Sequence, residues 1–384
     1  MARRSLFEVI CMGISEGNGN DPLQRRSNGD PVSPLEAKTL GGDSPVSSGS
    51  SLDFQRPHAP HANLEIFEMR VAELARNKPE FAFNPADPWA KTFRHALDTL
   101  DYGSGLKIVE VGVGLGVNVA LLLTKHPENE VWGSDFVPGV IPKSEELVAE
   151  LTGTDRARGY RAVPGSSDLL EHWLSGGQFH GQTPDLIVCC IPQVIDPRST
   201  ESNDELSLED RLEQLRTSGE DAAHYYVPSL NGVRDEHFKK FVSLMDEYNL
   251  GLNARLLVEA REVLTPESGR IAMNLAGRVP LPILHTMFRE TGFEEPRIVH
   301  QTIVRQDDVT TSIMPLAATE RKAELAERMQ ALSGSKTDHR FVFYDNPDGR
   351  GRPLCAMEAY SRELSRQPNY HDLYVLESRP KPLS

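Results

Sequence analysis

The run Glu110-Val-Gly112-Val-Gly114-Leu-Gly116 constrains this chain more than any other stretch. It begins within the apolar segment "LKIVEVG" and leads into a helix expected from about Gly116 to Lys125, so it reads as the turn between a buried strand and a helix. Glycines there permit a tight turn and a close approach of backbone to a ligand, and the first turn of the helix offers free N–H groups. A dinucleotide fingerprint needs Gly-x-Gly-x-x-Gly. Here Val117 occupies the last of those positions, and the glycines instead repeat every second residue behind an acidic one.

Strand-like and helix-like segments alternate after this turn. "NEVWGSDF", "YRAVPGSSDLL", "PDLIVCCIPQV" and "GRIAMNLAG" read as strands, with helices through "SEELVAEL", "GLNARLLVEAREVL" and "LPILHTMFRETGF". "EEPRIVHQTIV", "HRFVFYD" and "HDLYVLES" close the chain as further strands. Such alternation predicts an α/β fold of the Rossmann-like kind: a mostly parallel seven-stranded sheet, helices on both faces and an antiparallel edge. Leu64, Phe67, Val71 and Leu74, then Phe93, Ala96, Leu97 and Leu100, recur at helical spacing. They predict helices over 62–101 that cover the ligand mouth.

Residues 1–61 are rich in Ser, Gly, Pro and Asp, without apolar periodicity, and are expected to be disordered. His58 and His61 in that segment read as linker residues and not as a metal tract. One domain is expected over 62–384, with a polar insertion over about 195–248 forming a lid. Its acidic run "ESNDELSLEDRLEQL" reads as a solvated helix or flap.

The net charge of −15 argues against a nucleic-acid surface. No apolar run approaches the roughly 18 residues of a membrane span, and no secretory signal is evident, so neither a membrane nor nucleic acid is an expected partner. Cys11, Cys189, Cys190 and Cys355 lack disulfide or metal spacing, so a cytoplasmic setting without metal is expected. Cys189 and Cys190 read as core residues. His339 is given no chemistry. The oligomeric state is left open, a homo-oligomer included.

The Glu-x-Gly-x-Gly-x-Gly pattern resembles motif I of class I methyltransferases, which implies S-adenosyl-L-methionine as the methyl donor. On that resemblance Gly112, Gly114 and Gly116 lie against the methionine part of the cofactor, and Glu110 supports the loop or the cofactor's amino group. Asp135 ends the second strand about 20 residues on, where a carboxylate accepts ribose hydroxyls. Asp168, in "GSSDLL", falls where methyltransferases hold the adenine amino group, with Leu169 as an apolar wall. The structural alternatives are a turn acid for Asp135 and a helix cap for Asp168.

After the fourth strand the chain reads Cys190-Ile191-Pro192-Gln193-Val194. Methyltransferases of planar nitrogens often carry (Asn/Asp)-Pro-Pro-aromatic there; Ile191 and Val194 remove that clamp. "GSSDLL", "DLIVCCIPQVIDP", "YNLGLNARLLVEAREVL", "RIAMNLAGR" and "HRFVFYD" through "CAMEAYSREL" resemble the methionine S-methyltransferase family over roughly Ile108 to the end of the sequence. The chain looks like the short bacterial members, which serve dimethylsulfoniopropionate synthesis, and like the N-terminal methyltransferase domain of the plant enzyme. No counterpart of the plant enzyme's aminotransferase-like region is expected. The resemblance implies methyl transfer to the thioether of L-methionine, giving S-methyl-L-methionine.

That chemistry suits the residues. A thioether has no proton to lose, so no general base is expected, only in-line placement and exclusion of water. Pro192 and Gln193, at the strand end, are expected to line the substrate site, with Gln193 poised to touch substrate or cofactor. Tyr225 and Tyr226 offer ring faces to a sulfonium, or simply pack the lid. Arg278, in a "LAGR" resembling the family's Gly-Gly-Arg, suits a substrate carboxylate, the alternative being a surface arginine after a strand; Asp246 could meet an ammonium, but a helix-surface acid is the stronger reading. Two rival functions stay open. One is an N- or O-methyltransferase of another small molecule; the other is a non-catalytic cofactor-binding protein.

Overall fold

The computed structural model describes residues 62–81, 83–174, 176–191, 193, 236–246, 248–306, 313–320 and 341–382. The segment 1–61, with His58 and His61, lies outside them. So do the acidic run, His339, most of the 195–248 insertion, Pro192, Tyr225 and Tyr226.

Among the described residues two α-helices precede the sheet: α1 (Ala62–Asn77) and α2 (Pro88–Thr99). Asp87 caps α2, its carboxylate accepting from the Ala90 N–H at 3.2 Å, and Pro88 opens the first turn, where a missing N–H costs nothing. Next come β1 (Lys107–Val111), α3 (Val117–Lys125), β2 (Glu130–Ser134), α4 (Ile141–Thr152), the short α5 (Thr154–Ala157) and β3 (Tyr160–Ala162). β4 (Leu186–Cys189), α6 (Glu236–Asp246), α7 (Gly251–Val263), β5 (Arg270–Ala276) and α8 (Leu281–Glu290) continue the alternation. The chain then forms β6 (Arg297–Arg305), α9 (Ile313–Glu320), α10 (Ala356–Leu364) and β7 (Tyr370–Ser378).

The seven strands order as β3-β2-β1-β4-β5-β7-β6. β1 is parallel to both β2 and β4, while β7 runs antiparallel between β5 and β6. The expected Rossmann-like, mostly parallel sheet is therefore present. Its antiparallel member sits one place in from the edge, so β6 again runs with the other strands.

Strand residues alternate between two cores, which is why the strands read as continuous apolar runs. Ile108, Val131, Leu186, Val188 and Ala272 face α1 to α4. Val109, Val111, Ile187, Cys189 and Met273 face α6, α7 and α8. "HRFVFYD" departs from its expected strand. Phe343 and Tyr344 make only isolated bridges, to Leu354 and Tyr370. Phe341 and Phe343 are buried nonetheless. Their apolar spacing meets a core requirement without a ladder to extend. No helix among the described residues is long and apolar enough to cross a membrane.

Candidate functional site

Strand order reverses between β1 and β4, and in open α/β sheets the crevice at the carboxyl ends of such neighbours is where ligands bind. The glycine turn occupies that place. Gly112 and Val113 both donate to the Ser134 carbonyl at the end of β2, at 2.9 and 3.0 Å, which ties the turn to the next strand. Gly114 and Gly116 hold left-handed φ values of 51° and 78°, which side chains rarely adopt. Their surroundings differ. A Cβ on Gly116 would lie 2.8 Å from Val148 Cγ2, so α4 presses directly on that turn. A Cβ on Gly114 would meet nothing within 4 Å, so that face of the backbone is open.

Three acids surround the turn. Glu110, in β1, is fully buried; Asn118 of α3 donates to its Oε1 at 2.7 Å, and Oε2 has no hydrogen-bond partner. Burial, with Asp135 nearby, pushes its carboxyl up to about 8. Asp135 ends β2 with its Oδ2 accepting from Gly114 N–H and its Oδ1 from Val137 N–H, both at 2.9 Å. Burial raises its pKa as well, opposed by those backbone bonds. Asp168 follows β3, its backbone N–H bonded to Glu171 and its Oδ2 taking Arg255 Nη2 at 3.0 Å. Leu169 beside it is buried with a φ of 52°.

S-adenosylmethionine, the cofactor expected from the motif, fits what these residues present. The ammonium of its methionine portion supplies what a buried carboxylate with an unmatched Oε2 lacks, and the open face of Gly114 admits close contact. The glycines, Glu110 and Asp135 gather at the ends of β1 and β2, and Asp168 lies in the loop after β3.

The ends of β4 and β5 form a second group. Gln193 is buried, its Oε1 accepting from Ala276 N–H at 2.7 Å. Arg278, just past β5, is buried and donates from Nη2 to the Gln193 carbonyl at 3.3 Å; desolvation lowers its pKa to about 10. The β5–β7 pairing brings His371 beside it, and burial with the Arg278 charge holds that imidazole at about 3, hence neutral. Burial pushes the Cys190 thiol up to about 12 and Cys189 well above its ordinary value, so both stay protonated. Asp246 is not a surface acid: it is buried at the end of α6, packed so tightly on Gly251 that a Cβ there would overlap its carboxylate.

Arg255, Glu259 and Asn274 were not singled out from the sequence. Arg255 and Glu259 are buried on α7; Arg255 Nε donates to Glu259 Oε1 at 2.7 Å, and Glu259 Oε2 accepts from Leu170 N–H at 3.0 Å. Together they hold the Asp168 carboxylate and the Leu170 N–H, on either side of Leu169. The sequence signal is an Arg and a Glu four residues apart within the otherwise apolar stretch 254–260. Asn274 is a polar residue inside a strand whose neighbours are all apolar.

Neither a protein-family model nor a curated protein matches this sequence. Solved structures of similar fold do. A methyltransferase from Thiobacillus denitrificans, in complex with S-adenosyl-L-homocysteine, is 14% identical over 77% of this chain and 93% of its own, with a TM-score of 0.35. Precorrin-6y C5,15-methyltransferase from Geobacter metallireducens is 8% identical over 74% and 85%, with a TM-score of 0.34. A ribosomal protein L11 methylase from Lactobacillus delbrueckii is 14% identical over 57% and 72%, with a TM-score of 0.30. At such scores these likenesses add nothing to the strand order, which stands on its own hydrogen-bond register.

Proposed function

We propose that this chain is an S-adenosylmethionine-dependent methyltransferase that methylates the thioether sulfur of L-methionine, giving S-methyl-L-methionine and S-adenosylhomocysteine. The observation that carries the cofactor half is the fully buried Glu110, unmatched at Oε2, beneath a glycine turn that Asp135 holds open at Gly114. Glu110 would meet the cofactor's ammonium, Asp135 the ribose, and Asp168 with Leu169 the adenine. Bound there, the cofactor supplies an electrophilic methyl on a sulfonium.

The acceptor half draws on the described residues at the ends of β4 and β5. His371 is held neutral with very low proton affinity, and both thiols of β4 stay protonated, so neither kind of side chain serves as a base there. A thioether needs none. Its lone pair forms the new S–C bond, the electrons of the broken C–S bond return to the donor sulfur, and no proton leaves. Pro192 and Gln193 would border the reacting sulfur, Arg278 the acceptor's carboxylate, and Tyr225 and Tyr226 the positive charge.

The experiment is mass spectrometry of products after incubation with S-adenosylmethionine and a panel of thioethers, amines and hydroxy compounds. A methyl gained at the sulfur of methionine is the expected result. Methylation of a different acceptor alone would leave the cofactor half standing and sink the substrate.

A further inference from the structure

Two amides at the corner between β4 and β5 are half satisfied, and in opposite senses. Asn274 Nδ2 donates to the Trp89 carbonyl at 3.1 Å and contacts Cys190 Sγ at 3.2 Å. A backbone carbonyl only accepts, so the orientation of this amide is fixed and Oδ1 faces the other way, where it has no partner. Gln193 is the mirror case. Ala276 N–H only donates, so Oε1 is the atom that meets it, and Nε2 is left without an acceptor. Both side chains are at least nine-tenths buried, where native polar atoms are nearly always paired.

The two lie together. Gln193 bonds the backbone two residues beyond Asn274, and Asn274 touches Cys190 three residues before Gln193. Arg278 reaches the Gln193 carbonyl from the same strand end. The start of α2 covers the corner through Trp89, whose ring stands edge-on to His371 with centroids 6.1 Å apart. A leftover acceptor, a leftover donor and a guanidinium describe the complement of a zwitterion.

We infer that this corner is an α-amino-acid subsite, in which Asn274 Oδ1 accepts from the ligand's ammonium and Gln193 Nε2, beside Arg278, donates to its carboxylate. This deepens the reading of methionine as acceptor and rests on it. It gives the ammonium to Asn274 and not to Asp246, whose carboxylate is packed against Gly251. A carboxylate at Asn274 would add a charge to a dry site, whereas an amide oxygen orients the ammonium without one.

The test combines ligand analogues with variants of the full chain. With wild-type protein, N-acetylmethionine and methionine amide should each bind at least about tenfold more weakly than methionine, one buried hydrogen bond being worth about that factor. Asn274→Leu should raise KM for methionine by a similar factor. It should make little difference to 3-(methylthio)propionate, which has no ammonium, and leave the Kd for S-adenosylhomocysteine unchanged. Gln193→Leu should penalise methionine more than its amide, whose carbonyl is a weaker acceptor than a carboxylate. If methionine is methylated with a KM insensitive to blocking either end, the subsite is wrong while the proposed reaction stands. If methionine is not methylated but another α-amino acid binds in an Asn274-dependent way, the reaction is wrong and the subsite stands. If no amino acid binds, the subsite is overturned. Should Asn274→Leu fail to fold, the analogue series on the wild-type protein decides alone.

Discussion

Arg255 of α7 holds the carboxylate of Asp168, 87 positions earlier in the chain, at 3.0 Å. The same guanidinium pairs with Glu259, whose other oxygen accepts from Leu170 N–H, so one helix fixes the loop that follows β3. Leu169, between the two anchored residues, keeps a backbone conformation that a leucine avoids when unrestrained.

Breaking this pair should therefore be felt in both stability and cofactor affinity. Arg255→Met removes one partner of a buried ion pair and leaves two carboxylates, with Glu259 already raised to about 7 by burial. A loss of about 3–5 kcal/mol is expected in denaturant unfolding. Arg255→Lys should recover part of the stability but less of the affinity for S-adenosylhomocysteine, because one ammonium cannot span both acids in the guanidinium's geometry. Calorimetric titration of both variants would show it; unchanged binding in folded Arg255→Met would sink the role given to this clamp.

Glu110 should make the protein pH-sensitive. Its pKa rises from 4.5 to about 8 on folding, so over that window the folded state holds a proton that the unfolded chain has lost. Stability then falls as pH rises from about 5 to about 8. Glu259 acts in the same direction, so the informative quantity is the difference between wild type and Glu110→Gln. That variant should be the more stable by roughly 1–3 kcal/mol at pH 8 and about equal at pH 5. Thermal melts across the range check it.

Cofactor binding should run the opposite way. A carboxylate meets an ammonium better than a carboxyl does, so affinity should improve as pH rises toward 8, and Glu110→Gln should bind weakly with a flat pH profile. A wild-type Kd independent of pH between 6 and 9 would place Glu110 outside the ligand's reach.

The glycines of the turn should separate structure from binding. Gly116→Ala forces a Cβ to within 2.8 Å of Val148 at a left-handed φ, and should cost stability by about 2–3 kcal/mol. Gly114→Ala has open space at a similar φ, and should cost only about 1 kcal/mol. Its methyl, however, would stand where the ligand approaches, so binding of S-adenosylhomocysteine should be lost in a well-folded protein. Equal binding by wild type and Gly114→Ala would mean that the ligand lies elsewhere.

Methyl transfer to a thioether should show no ionisation of the acceptor. With both substrates saturating, the rate should stay level from about pH 7 to 9. A rate climbing nearly tenfold per pH unit would point to an acceptor that must lose its proton, and would favour an amine or a hydroxyl over methionine.

The sequence by itself determined the parallel core of the sheet and its candidate ligand edge. "LKIVEVG" reads as a buried strand because Ile108, Val109 and Val111 place apolar side chains on both faces, and Gly114 and Gly116 mark a left-handed turn because other residues adopt that backbone only under strain. Those requirements are local, so they appear in consecutive residues, and Glu110, Asp135 and Asp168 follow in order from the strand ends that carry them. The tertiary structure alone decided the partners. Arg255 and Glu259, four apart on a helix, look like a solvated pair until α7 is packed and both are buried against the Asp168 loop. Asp246 looked like a surface acid for the same reason. Asn274 carries no sign in its neighbours that one amide oxygen will be left unmet; that follows from the Trp89 carbonyl, which reaches it across 185 positions. "HRFVFYD" shows the reverse, a strand-like spacing that no neighbouring strand extends into a ladder. Burial and hydrogen-bond satisfaction depend on what the rest of the chain brings alongside, and spacing along the sequence cannot express that.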